Sequence, residues 1–157
     1  MDIILLTVGK TADGQIADLT DRYIGRASHY VPMQMRCIPD LRKTKGLTAE
    51  KRRQLEGEAI LSSLTPSDHV CLLDERGKEL TSMEFSDLLS KRMASGIKRL
   101  VFVVGGPYGF SPDVYARADS KLSLSKMTFS HEMVRLFFAE QVYRAMTILR
   151  GEPYHHE

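Results

Sequence analysis

Hydrophobic and polar positions divide the chain into strand-like and helix-like blocks that alternate from one end to the other. Ile3 to Val8 is an apolar run broken only by Thr7, which reads as a buried strand ended by Gly9 and Lys10. From Asp13 to Ser28 the apolar residues Ile16, Leu19, Tyr23 and Ala27 recur at helical spacing. Met33 to Ile38, closed by Pro39, is a second strand, and Asp40 to Leu47 is a polar, basic, exposed loop. Thr48 caps a helix to about Leu64 that turns Ala49, Leu55, Ala59, Ile60 and Leu64 inward. His69 to Leu73 is a third strand, and Asp74 to Lys78 reads as a polar turn. Thr81 and Glu84 have the spacing of a capping box for a helix from Ser82 to Ala94, which Gly96 stops. Leu100 to Val104, a short helix near Pro112 to Ala118, a strand from about Lys121 to Ser125, and a helix from His131 to Arg150 complete the order.

Strands alternating with helices predict an α/β fold, a mostly parallel sheet with helices on both faces. Ligands of such sheets sit beyond the carboxyl ends of the strands, so the turns after Val8, Leu73, Val104 and Ser125 share one edge. The last helix is apolar nearly all round, from Met133 through Phe137 and Phe138 to Leu149, and needs cover on nearly all sides. A second copy of the chain is the expected cover, giving a homodimer with this helix in the interface; complete burial within one subunit is the alternative.

Length and composition fit one domain spanning 1–157. The 157 residues include 43% hydrophobic and 27% charged side chains, which is enough apolar material for a sizeable core and excludes a disordered chain. With neither a membrane-length apolar run nor a signal-type N-terminus, the expected location is the cytoplasm. Cys37 and Cys71 lie in strand-like runs without CxxC spacing and read as small buried hydrophobes. The net charge is only +2, yet Arg36, Arg42, Lys43, Lys45, Lys51, Arg52 and Arg53 cluster against Asp40 and Glu50 alone. A phosphate-contacting patch and a plain solvated face both fit that cluster.

The chemistry concentrates in two segments. Leu100 to Val104 opens into Gly105-Gly106-Pro107-Tyr108-Gly109, where a ligand can approach bare backbone. Leu122 to His131 then interleaves small polar residues, Ser125 and Thr128, with apolar Leu124, Met127 and Phe129. An adenine ring calls for this combination of apolar faces and backbone donors and acceptors at its edge. The glycine turn is neither a GxGxxG nor a GxxxxGK[ST] loop. His131 begins the last helix after Ser130, as a catalytic or substrate-orienting group or as a residue merely closing the helix start. There is no HExxH spacing and no assembled Ser/His/Asp or Cys/His set, so no metal and no covalent catalysis is expected.

Val103 to Gly109, Leu122 to His131, the helical run Glu140-Gln141-Val142-Tyr143-Arg144-Ala145 and the ending Gly151-Glu152-Pro153-Tyr154-His155 together resemble one family. It is the bacterial ribosomal RNA large subunit pseudouridine N3-methyltransferase family of the SPOUT superfamily. The resemblance covers the whole chain and implies a C-terminal trefoil knot within about 100–157, which periodicity does not show and which chains otherwise avoid. It implies S-adenosylmethionine as cofactor, held by Leu73, Gly105, Gly106, Leu124, Ser125, Lys126, Met127, Thr128 and Phe129. The implied substrate is a pseudouridine of 23S ribosomal RNA on the assembled ribosome, and the implied assembly is a homodimer. His131 and Arg135, one helical turn apart, are expected at the target nucleotide or its phosphate, with Tyr154 and His155 arriving from the tail as further catalytic candidates. Many relatives have Pro at the position of Ser130, and some have Arg or Lys at that of His156. Another SPOUT RNA methyltransferase and a non-catalytic ribosome-associated RNA-binding factor are the rival readings.

Overall fold

The computed structural model describes residues 1–157. Five strands form one sheet: β1 (Asp2–Val8), β2 (Met33–Ile38), β3 (His69–Glu79), β4 (Arg99–Val104) and β5 (Ser120–Ser123). Their order is β2-β1-β4-β3-β5, and every pairing is parallel. The helices are α1 (Gly14–Ala27), α2 (Ala49–Ser62), α3 (Ser82–Ala94), α4 (Pro112–Arg117) and α5 (His131–Leu149). The α/β class and the sequence of elements match the expectation; most boundaries move by one or two residues.

Successive strand residues point to opposite faces, and this alternation separates two cores. Ile3, Leu5, Phe102 and Val104 pack with Ala27, Phe85, Leu89, Phe138 and Val142 from α1, α3 and α5. Ile4, Leu6, Val101 and Val103 pack on the other side with Ile60 of α2 and Val114 of α4. Central strands covered on both sides explain why Leu100 to Val104 carries no polar position.

Helix starts are fixed locally. Asp13, Thr48, Ser111 and Ser130 each accept backbone N–H bonds at the first turns of α1, α2, α4 and α5. Thr81 and Glu84 close both halves of the capping box on α3.

Three expectations need correction. Asp74 to Lys78 is not a simple turn, because β3 shifts register at Leu73 and resumes pairing with β5 at Lys78 and Glu79. Only Cys71 is buried; Cys37 is exposed near the end of the edge strand β2. In α2 the buried positions are Glu56, Gly57 and Ile60, whereas Ala49 is exposed.

Candidate cofactor and active site

Parallel strands in register bring Thr7, Val104, Leu73 and Leu122 side by side near the carboxyl end of the sheet. The chain leaving β3, β4 and β5 there surrounds a cavity of about 1010 Å³, at the upper end of the range for small-molecule sites. All nine residues expected to hold a cofactor line it: Leu73, Gly105, Gly106 and the run Leu124 to Phe129. His131 lines it too, exposed at the first turn of α5.

The walls offer what an adenosyl group can use. Leu73, Val104, Leu124 and Phe129 supply apolar surface. The N–H groups of Gly105, Gly106 and Tyr108 donate to no backbone acceptor, and neither do those of Leu124, Ser125 and Lys126. The loop at 105–106 is held tightly from behind. A Cβ on Gly105 would meet the Phe110 ring at 3.1 Å, and one on Gly106 would overlap the Glu56 carboxylate. Packing rather than backbone conformation favours glycine here, since both residues lie outside the positive-φ set.

Glu56 itself is 9% exposed, and its Oε1 has no hydrogen-bond partner. Burial, and then the nearby charge of Asp40, push its pKa up, while Arg52 partly opposes them.

The remaining catalytic candidates lie elsewhere. Arg135 is 1% exposed and serves the end of β1: Nη1 donates to the Gly9 carbonyl and to Thr11 Oγ1, and Nη2 to the Val8 carbonyl, all at 3.0 Å. Carbonyls left unpaired where a strand ends need donors, and the guanidinium fork supplies them. The expectation that Arg135 touches the nucleotide is therefore corrected; within the subunit it is a buried clamp. Tyr154 donates to Glu140 Oε1 at 2.9 Å, meets Tyr143 edge-on and lies under the Arg144 guanidinium. Burial and the Glu140 carboxylate raise its hydroxyl pKa. His155 Nδ1 lies 3.3 Å from Arg144 Nη1. Glu140 is nine residues beyond His131, about 13 Å of helix rise, and the cavity's lining includes neither Tyr154 nor His155.

Among the cavity residues beyond the predicted site set are Arg53, Asp74, Arg76 and Tyr115. Arg53 could have been found, because it ends the basic cluster. Its neighbour Arg52 bonds the Tyr108 hydroxyl at 3.2 Å and the Thr44 carbonyl at 3.0 Å, which ties the basic loop to the glycine turn. No group of three or more His, Cys, Asp or Glu side chains is placed to hold a metal ion, and no helix is long and apolar enough to cross a membrane.

Parallel strands whose outgoing loops close round one cavity, with free backbone donors and apolar walls, define an α/β protein with a cavity of small-molecule size at its sheet edge. Residues 1–155 match the family model described as "Predicted SPOUT methyltransferase", and the chain belongs to that methyltransferase family. It is 57% identical over 157 residues to a protein of Porphyromonas gingivalis and 55% identical over 157 residues to one of Parabacteroides distasonis, with both chains covered completely in each case. It is also 56% identical to a protein of Christiangramia forsetii over 156 residues, 99% of each chain. All three relatives bear the name ribosomal RNA large subunit methyltransferase H.

Proposed function

We propose that this chain is a cytoplasmic S-adenosylmethionine-dependent methyltransferase that methylates N3 of a pseudouridine in 23S ribosomal RNA on the assembled ribosome. The observation that carries the reading is the cavity at the sheet edge, where Leu73, the Gly105–Gly106 turn and Leu124 to Phe129 converge with His131. When bound, the cofactor supplies an activated methyl group, so the demand on the protein is mainly alignment. Leu73, Leu124 and Phe129 would hold the adenine by apolar contact, and the free N–H groups of the two loops would be available to its acceptors. His131, exposed at the rim, orients the target base or accepts the imide proton. Arg53 and Lys126, both on the cavity wall, meet RNA phosphates.

Within one subunit the tail lies against Glu140 and Arg144. For Tyr154 and His155 to serve the reaction, a second copy has to bring its tail to the cavity, so the enzyme works as a homodimer. The same reading carries a trefoil knot in one domain. It is supported by the route of the chain: α4 lies on one face of the sheet and α5 on the other. Between them Gly77 is pressed so close to Leu122 that a Cβ would come within 2.5 Å of its backbone nitrogen.

The test has two parts. Calorimetry with S-adenosylmethionine is expected to show binding, and its absence favours a non-catalytic RNA-binding factor. Mapping of ribosomal RNA from a deletion strain is expected to find one pseudouridine lacking its N3 methyl group. A different missing methyl group assigns the chain to another RNA substrate. Replacing His131 by Ala is expected to reduce methyl transfer far more than cofactor affinity; equal losses in both remove it from the catalytic role.

A further inference from the structure

One polar construction on the cavity wall has no part in the reading above. Asp74 follows Leu73 where β3 leaves its first register with β5, and it is half-buried. One carboxylate oxygen, Oδ1, accepts the Arg76 backbone N–H at 2.8 Å, and the other, Oδ2, accepts the Tyr115 hydroxyl. Burial and the bond to Asp74 push the Tyr115 pKa up to about 12, so the phenol remains a donor at any physiological pH. The Arg76 guanidinium and the Lys121 ammonium each lie 5.7 Å from the centre of the Tyr115 ring. Asp74, Arg76 and Tyr115 all line the cavity.

A carboxylate has about four acceptor positions, and Asp74 uses two within the protein. What remains is a pair of adjacent acceptors in fixed orientation, beside the apolar surface of Leu73. Within an adenosyl group, the part that presents two adjacent donors is the vicinal diol of the ribose. Only one other carboxylate, that of Glu75, lines the cavity, and Glu75 is exposed with no bond fixing its side chain. We propose that Asp74, fastened by Tyr115, is the ribose subsite of this cavity and accepts both hydroxyls of the adenosyl ribose. The proposal rests on the reading of the cavity as an adenosyl site. The cofactor's amino group is the competing ligand for a carboxylate, and it differs from the diol in sitting at the far end of the molecule.

Titration calorimetry on the full chain separates these cases, with S-adenosylhomocysteine and 5′-methylthioadenosine as probes. Both carry the ribose, and only the first carries the amino acid. Asp74→Asn puts an amide donor where an acceptor stood, and is expected to weaken both probes alike, by about tenfold to a hundredfold, the range for hydrogen bonds to a charged group. Tyr115→Phe, which leaves the carboxylate but frees it to rotate, is expected to weaken both by a smaller factor. The 2′-deoxy form of methylthioadenosine is expected to bind the unchanged chain more weakly than its parent, and Asp74→Asn no more weakly than its parent. That second comparison is internal to each variant, so a general loss of folded protein does not imitate it. A loss confined to S-adenosylhomocysteine gives Asp74 to the amino group and overturns the proposal, as does unaltered binding of both probes. Failure of the unchanged chain to bind either probe overturns the adenosyl reading itself.

Discussion

At the scale of single residues, the cavity depends on a group behind it. Glu56 is a buried carboxyl without a partner for Oε1, packed on the Cα of Gly106. Its pKa in the folded chain lies above the ordinary value, so the folded state holds this proton more tightly than the unfolded state. Stability from this group therefore rises as pH falls through that raised pKa, and the ionised form costs stability at neutral pH. Glu56→Gln is expected to melt higher than the unchanged chain near pH 8, with the gap closing towards about pH 4, the ordinary range for Glu. A gap that stays constant across thermal melts at several pH values contradicts this account. Gly106→Ala is expected to weaken cofactor binding, because its Cβ would force the Glu56 carboxylate to shift, and Glu56→Ala is expected to restore part of it by removing the obstacle. The glycine turn by itself reads equally as a tight connection without a ligand, and it became legible as a site only beside the run Leu122 to His131. Glu56 was not, since a Glu on a polar helix reads as solvated until the fold places it. Arg135 misled for a related reason: spacing puts it on the same helix face as His131, and nothing local reveals that the end of β1 lies beneath that face.

Elements were legible to the extent that their signals are local. The capping box on α3 needs only Thr81, Glu84 and the intervening turn, and it forms as the spacing predicts. Thr81→Ala is expected to cost about 1 kcal/mol, as loss of an N-cap usually does, with a lower denaturation midpoint at an unchanged slope. The second half of β3 was illegible because it depends on a partner more than forty residues away. Polar Asp74 to Lys78, with Gly77 inside, has turn composition, and only the pairing of Lys78 with Leu122 and of Glu79 with Ser123 makes it part of a strand. Gly77 is where the two segments touch, so Gly77→Ala is expected to destabilise by about 1–3 kcal/mol, the range for forced overpacking. Denaturant unfolding measures that cost, and an unchanged midpoint contradicts the close approach. The register shift also places Asp74 on the cavity wall, which links an irregularity of pairing to the chemistry of the site.

For the whole molecule, the decisive relation is between a cavity at the start of α5 and a tail that returns to its middle. The helix leaves Phe137 41% and Leu149 37% exposed even after α1 and α3 have packed against it. A nearly all-apolar helix foretold unfilled cover, but sequence alone could not locate the tail, whose position depends on Tyr154 meeting Tyr143 and Glu140. Under the dimer reading, His131 belongs to one subunit's cavity and Tyr154 to the tail of its partner. Two variants each dead by itself then become complementary, because a mixed dimer contains one site with both residues intact and one with neither. His131→Ala and Tyr154→Ala are therefore expected to show little methyl transfer separately. Activity is expected to return when the two are unfolded together, refolded as a mixture and assayed on ribosomes. Sites built within single subunits give no such return, since every cavity in the mixture then lacks one of the two residues. Recovery scaling with the fraction of mixed dimers, counted by native mass spectrometry of tagged chains, ties the activity to the shared site rather than to residual function of either variant.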